Sequence, residues 1–228
     1  MNKIFLKITI LLLGIFINLS AQNWQQTNGP YGGEVSAFAV NGDNIFAGTQ
    51  AGGVFLSTNN GSSWAAINDG LNNLFVSSFA ISGGNLFAGT SGGGIFLSTN
   101  NGSNWSAVNN GLTNPSLFSL AAKGTNLFAA TMSGIFLSTN NGANWTIVNN
   151  GLTNTWVQSL IVSGTNIFAG TQSGGIFLST NNGANWTSVN NGLTNKDVQS
   201  LTSKSCHSRH TCANNNPWNP AARQPRVP

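Results

Sequence analysis

A unit of about forty residues is written four times along this chain, and each copy carries the pattern S-T-N-N-G-[SA]-[SN]-W at one fixed place. The tryptophans that close these octets follow one another at intervals of 41, 40 and 41 residues: Trp64, Trp105, Trp145 and Trp186. Trp24 stands 40 residues before the first of them. A period of this length is typical of similar supersecondary units that stack on their neighbours. The repeat therefore predicts a stacked-unit architecture.

Each copy reads as four short strands. In the first copy the predicted strands are Val35–Val40, Asn44–Thr49, Gly53–Thr58 and Ser62–Ile67. The second and third are continuous apolar runs, as expected where a sheet is covered on both faces. The Asn-Gly pair in every octet favours the positive φ of a tight hairpin, and the density of Gly and Asn argues against helical repeats. Four strands per unit at this period predict an all-β, β-propeller-like array of four-stranded blades.

The chain divides into three predicted regions. Residues 1–21 combine Lys3 and Lys7 with an apolar run and small residues before a cut, which predicts a secretory signal peptide. Residues 22–203 hold four full blades, an orphan outer strand around Trp24 and an orphan inner strand at Val198–Thr202. Residues 204–228 are basic, rich in proline and free of the repeat. We interpret them as the result of a reading-frame break, with a genuine disordered tail as the alternative, and we expect an incomplete or open array.

The distribution of charge excludes a nucleic-acid-binding body. The net charge is +4, but residues 22–203 hold only two lysines against four carboxylates. Affinity for phosphate depends on clustered basic residues, which this region lacks. No apolar run after the signal peptide is long enough for a membrane anchor. We therefore expect a protein that is secreted, extracellular or periplasmic after removal of the signal peptide.

The octet resembles the Asp box, or bacterial neuraminidase repeat, whose pattern is S-x-D-x-G-x-[ST]-W. The shared positions are Ser57, Gly61, Trp64, Ser98, Gly102, Trp105, Ser138, Gly142, Trp145, Ser179, Gly183 and Trp186. Asparagine replaces the family's aspartate at Asn59, Asn100, Asn140 and Asn181. The resemblance implies a secreted bacterial β-propeller in which each box staples a hairpin away from any catalytic centre.

The resemblance does not imply one activity, because Asp-box families include sialidases, xyloglucan-cleaving hydrolases, sortilin-type receptors and photosystem assembly factors. Sialidases resemble one another in an arginine triad and a tyrosine nucleophile. Residues 22–203 contain no arginine, and Tyr31 is the only tyrosine of the chain. This inventory excludes a sialidase.

Other catalytic and metal chemistry has few candidates. A glycosidase with two carboxylates would have to draw on Glu34, Asp69 and Asp197, which fall on loops between consecutive blades. Carboxylates on polar loops are ordinarily solvated surface, so we predict no enzyme and no cofactor, and we keep a carbohydrate-active hydrolase as the alternative. The tail holds a cluster with the side-chain chemistry of zinc ligands, but its spacing fits no standard zinc module, so we predict no metal site. Its members are Cys206, His207, His210 and Cys212.

The positions at which the copies differ indicate a binding surface. After each N-[ND]-G-L-[TN]-N the pairs are Leu74-Phe75, Pro115-Ser116, Thr155-Trp156 and Lys196-Asp197, with Gly33-Glu34 before the first blade. We predict a secreted binding, adhesion or scaffolding module whose loop face presents Tyr31, Phe75, Trp156, Lys196 and Asp197 to a glycan or an extracellular protein. Freely drifted loops whose aromatic residues cap the blade rim are the competing interpretation. A third hypothesis is a purely structural extracellular repeat that self-associates through its open edges.

Overall fold

The computed structural model describes residues 29–202, and the strands in this range form four antiparallel four-stranded sheets. In every sheet the spatial order of the strands is their order in the chain. Blade 1 contains β1 (Val35–Asn41), β2 (Asn44–Thr49), β3 (Val54–Ser57) and β4 (Ala65–Ala66). Blade 2 contains β5 (Val76–Ser82), β6 (Asn85–Thr90), β7 (Gly94–Ser98) and β8 (Ser106–Ala107). Blade 3 contains β9 (Ser119–Lys123), β10 (Asn126–Thr131), β11 (Gly134–Ser138) and β12 (Thr146–Ile147). Blade 4 contains β13 (Val157–Ser163), β14 (Asn166–Thr171), β15 (Gly175–Ser179) and β16 (Thr187–Ser188).

The predicted all-β array of four-stranded blades is confirmed. Two predicted strands are wrong, because one is shorter than expected and the other does not form. The fourth strand of blade 1 is only Ala65–Ala66, because the turn of the octet extends to Ser62 and only Ala65 and Ala66 pair with β3. Residues 198–202 form no strand. The Val198 backbone N–H donates to the Thr171 carbonyl at 3.0 Å, but a full strand needs neighbours along its length, and the repeat supplies none beyond this point.

Each octet is a tight turn that its own serine and asparagine hold closed. In blade 3 the Ser138 hydroxyl accepts from the Gly142 N–H at 2.9 Å and donates to Asn140 Oδ1 at 2.9 Å. Asn141 and Gly142 have φ values of 55° and 82°, and the Ala143 N–H donates to the Asn140 carbonyl. Two consecutive residues with positive φ define the type I′ hairpin turn, for which Asn-Gly is the preferred pair. The same bonds recur in the other three octets, so this turn fixes the path from each third strand to the fourth.

Apolar side chains between consecutive blades form the core. Phe46, Phe87 and Phe128 on the second strands are completely buried or nearly so. The octet tryptophans of blades 2 to 4 lie in the same clusters, and the indole N–H of each donates to a carbonyl of the preceding blade. Burying a large apolar side chain contributes about 1.5–3 kcal/mol. The blades therefore stabilise one another and not only themselves.

The array is open within the described residues. The innermost strands pack in the order β1, β5, β9 and β13, and β1 and β13 do not form a further packed pair. We call the side of a blade that faces the preceding blade its leading face, and the opposite side its trailing face. Phe38 and Val40 on the leading face of blade 1 are 63% and 64% exposed. The predicted signal peptide, the strand around Trp24 and the Cys/His cluster of the tail lie outside the described residues.

Candidate functional site

The loops that connect consecutive blades meet on one face of the array, and two asparagines in each loop fix their course. We call this surface the loop face. The first asparagine ties the loop to the hairpin between the second and third strands of its own blade. Asn68 Oδ1 accepts from the Val54 N–H at 2.8 Å, and its Nδ2 donates to the Gly52 carbonyl at 2.8 Å. Equivalent bonds are made by Asn109, Asn149 and Asn190.

The second asparagine sets the backbone just before the next blade. Asn73 Oδ1 accepts from the Phe75 N–H at 3.0 Å, and its Nδ2 donates to the Ser91 carbonyl at 3.3 Å. A side chain that accepts from the N–H two residues later closes an Asx turn. The same acceptor bond is made by Asn114, Asn154 and Asn195. Sequence reasoning identified these asparagines only as part of a repeated pattern.

The backbone of the variable pair is held from both sides. The Leu74 carbonyl accepts from the Gly53 N–H of blade 1 at 3.0 Å, and the Phe75 carbonyl accepts from the Ser91 N–H of blade 2 at 2.9 Å. The Lys196 carbonyl likewise accepts from the Gly175 N–H at 2.8 Å. These bonds use only backbone atoms, which every residue type supplies. The side chains of the pair can therefore change from blade to blade while their backbone stays in place.

The predicted site residues all carry exposed side chains. Tyr31, Phe75 and Trp156 lie on segments that lead into an innermost strand, whereas Lys196 and Asp197 lie at the equivalent place after blade 4. Tyr31 is 74% exposed, Phe75 40% and Trp156 39%. The Trp156 ring packs against Phe118 at a centroid distance of 6.4 Å. Lys196 and Asp197 are exposed. The described contacts do not join these five side chains to one another.

Two further residues on this face were missed by sequence reasoning. Met132, in the turn between β10 and β11, is 47% exposed. Gln172, in the turn between β14 and β15, donates its backbone N–H to the Trp156 carbonyl at 3.0 Å. Its side-chain Oε1 is a buried acceptor without a hydrogen-bond partner. The available signal was the variation of this turn among the copies, which read T-Q-A-G-G, T-S-G-G-G, T-M-S-G and T-Q-S-G-G in chain order.

The three carboxylates predicted for the alternative hydrolase have different contacts. Glu34 Oε2 accepts from Gln50 Nε2 at 2.8 Å. Asp69 accepts from the Asn104 side chain in the octet of blade 2, so it links blades 1 and 2 at the outer strands. Asp197 is exposed, and no described contact brings it to Glu34 or Asp69. Residues 29–202 also contain no group of three His, Cys, Asp or Glu side chains placed to hold a metal ion. Residues 29–202 contain no helix that is long and apolar enough to cross a membrane.

Stacked four-stranded blades with inter-blade loops on one face define a β-propeller repeat protein. Residues 86–214 match the DUF6242 beta propeller domain, more than half of the chain, and the chain belongs to this family. No curated protein matches the sequence.

Solved structures share the fold. An ancestral GH74 enzyme is 28% identical over 73% of this chain and 25% of its own, with a TM-score of 0.59. YCF48 from Cyanidioschyzon merolae is 19% identical over 72% of this chain and 58% of its own, with a TM-score of 0.56. A structure of YCF48 bound to D1 peptide is 15% identical over 69% of this chain and 55% of its own, also with a TM-score of 0.56. The chain thus spans about a quarter of the length of the GH74 structure that it matches.

Proposed function

We propose that this chain is a non-enzymatic binding module, and that its loop face captures a segment of another protein. The observation that carries the proposal is the contrast between a constant backbone and variable side chains. Asn73 and its equivalents fix the same turn after each blade, whereas the residue two positions after this asparagine changes from Phe75 to Ser116, Trp156 and Asp197. A rigid frame lowers the entropic cost of binding, and exposed aromatic rings are frequent anchors at interfaces.

Protein capture agrees with the composition of the face. Phe75 and Trp156 offer apolar area, while Lys196 and Asp197 offer one charge of each sign. A mixed surface of this kind suits an extended peptide, whose side chains alternate in polarity and whose backbone offers donors and acceptors. YCF48, which shares the fold, has been solved with the D1 peptide. A glycan is the second ligand class, because an indole face such as that of the 39% exposed Trp156 also stacks on a sugar ring.

The test is capture of ligands from a library of unstructured peptides and from an array of soluble glycans. The variant combines Phe75→Ala with Trp156→Ala, and we expect at least a roughly tenfold loss of peptide binding, the equivalent of about 1.4 kcal/mol. The matched control is Ile147→Ala, because Ile147 is 55% exposed on an outer strand and lies away from the loop face. Unchanged peptide capture by the double variant would refute the proposal, and loss of glycan capture alone would assign the face to sugars.

A carbohydrate-active hydrolase is the second candidate, and the 28% identity to a GH74 enzyme is what favours it. Its residues would be Glu34 and Asp197, because Asp69 links blades 1 and 2 at their outer strands through its bond to Asn104. Hydrolysis of a polysaccharide panel that disappears in the Glu34→Gln, Asp197→Asn double variant would support this function over binding alone.

We also propose that the module acts outside the cytoplasm. Residues 1–21 carry the signal-peptide pattern, and the repeat region draws its polarity from Asn, Ser, Thr and Gly and not from charge. Intact mass of the protein from its native host tests this, because export predicts a mature chain that begins near Gln22. Recovery of a chain that still begins at Met1 would contradict it.

A further inference from the structure

We propose that the leading face of blade 1 binds the trailing face of blade 4 of a second copy of this chain. This contact would repeat, between two molecules, the packing that joins consecutive blades within one molecule. It differs from self-association through sheet edges, because whole blade faces stack while their strand edges stay unpaired. It also leaves the loop face accessible.

The internal contact has a constant form at the outer strands. In blade 3, Trp145 Nε1 donates to the Val108 carbonyl of blade 2 at 2.7 Å. The octet glycine Gly142 lies so close to the Val108 side chain that an added Cβ would stand 3.0 Å from it. Gly111 of blade 2 fits as closely against the Trp145 carbonyl, with 2.2 Å to an added Cβ. The same set joins blade 1 to blade 2 and blade 3 to blade 4.

Blade 1 carries one half of this contact without its counterpart. Trp64 is the equivalent of Trp145, and its Nε1 is buried without an acceptor. Val35, Phe38 and Val40 are exposed on the innermost strand. The residues at the same positions in blades 2 to 4 are buried or half-buried: Val76, Phe79, Ile81, Leu117, Leu120, Ala122, Val157, Leu160 and Val162.

Blade 4 carries the other half. Phe168 and Ile176 are half-buried, although their equivalents in blades 1 to 3 are fully buried: Phe46, Phe87, Phe128, Val54, Ile95 and Ile135. Val189, the equivalent of Val108, is 39% exposed. An added Cβ on Gly192 would meet nothing within 4 Å, whereas one on the equivalent Gly111 would stand 2.2 Å from the Trp145 carbonyl oxygen. The Val189 carbonyl stands at the position that accepts the indole N–H of the next octet tryptophan in the three internal contacts.

The two faces are complementary, because each carries the repeat residues that form one side of the three internal contacts between blades. Such a contact joins different surfaces of the two copies, so it closes a ring or continues as a chain of copies. Val198 lies against Gly170, in the place that Val35 of the second copy would take. Residues 198–202 form no strand, and the larger apolar face of blade 1 would displace them.

The first experiment measures the mass of the full chain by sedimentation as its concentration is raised. We expect integer multiples of the monomer mass for the unaltered protein. Phe38→Asp and Val189→Asp place a charge on the leading and trailing faces, and each should weaken association roughly tenfold or more. Both positions are exposed, so the variants should keep the circular dichroism spectrum of the parent. Ile147→Asp, at an equally exposed apolar residue of blade 3, is the control that should associate normally.

Mixing the Phe38→Asp and Val189→Asp variants tests whether a leading face binds a trailing face. Phe38→Asp keeps a free trailing face and Val189→Asp keeps a free leading face, so an equimolar mixture should form one junction and stop at two copies. Two outcomes overturn the proposal. One is a monomer at every concentration, as expected if residues 1–28 of the same copy cover blade 1. The other is association that survives Val189→Asp alone, which indicates contact between two leading faces.

Discussion

Replacing single octet tryptophans by phenylalanine measures how much the blade-to-blade hydrogen bond stabilises the array. Trp145→Phe removes the indole N–H that donates to the Val108 carbonyl at 2.7 Å. A buried group that loses its partner costs about 1–3 kcal/mol, and the smaller ring leaves a cavity that adds about 1 kcal/mol. We therefore expect Trp145→Phe to lower the free energy of unfolding by about 2–4 kcal/mol. At about 2–4 °C per kcal/mol for a domain of this size, the melting temperature should fall by roughly 4–16 °C.

Trp64→Phe is the matched comparison, since the side chain occupies the same position of the octet in blade 1. Its Nε1 has no acceptor and the residue is only half-buried, so the substitution removes no hydrogen bond and should cost less than about 1 kcal/mol. Urea unfolding followed by far-ultraviolet circular dichroism gives both values without relying on tryptophan fluorescence. Dilute protein keeps copies from associating. Equal losses in the two variants would refute the assignment of the stabilisation to the bond between blades.

Two further predictions concern the octet turn. Ser138→Ala should lower the free energy of unfolding by about 1–3 kcal/mol, because the buried Gly142 N–H loses its acceptor; a urea midpoint unchanged from the parent would contradict this. Asn140→Asp should change it by less than about 0.5 kcal/mol, because the oxygen that accepts from Ser138 and Asn144 remains; a large loss in thermal unfolding would show that the amide nitrogen is required.

The sequence predicted the blades well because their signals are local and repeated. Asn-Gly at the octet specifies a turn with positive φ through two adjacent residues, and that turn is present in each copy. The continuous apolar runs of the second and third strands predicted sheets covered on both faces. Such runs depend on neighbouring blades, and four nearly identical copies supply those neighbours at a fixed spacing.

The sequence did not predict which polar residues act between blades. Asp69 reads as a loop carboxylate, but it is bonded to Asn104 thirty-five residues later. Asn73 reads as one more polar loop residue, but it closes the turn that places Phe75. The role of Asp69 depends on a contact across a blade boundary, which no short pattern encodes. Asn73 instead accepts from the N–H two residues later, a local turn that its sequence position could have indicated. The last predicted strand, Val198–Thr202, does not form. A strand is stabilised by pairing with neighbouring strands, and the sequence of these residues does not show whether such neighbours are present.

Different sets of residues within the repeat have different structural and functional roles. The octet and the loop asparagines recur because each blade needs the same turns, so their presence reports on folding and carries no information about a ligand. Phe75, Trp156 and Asp197 occupy equivalent places whose backbone is fixed by constant bonds, so their side chains are free to differ without cost to the blade. A difference that the fold does not require is where a specific partner would be recognised. The more exposed faces of blades 1 and 4 are the reverse case, since within residues 29–202 the constant residues there lack the neighbouring blade that the other copies have. The two proposals therefore place the binding of a partner and the assembly of copies on separate surfaces, and substitutions on one should leave the other intact.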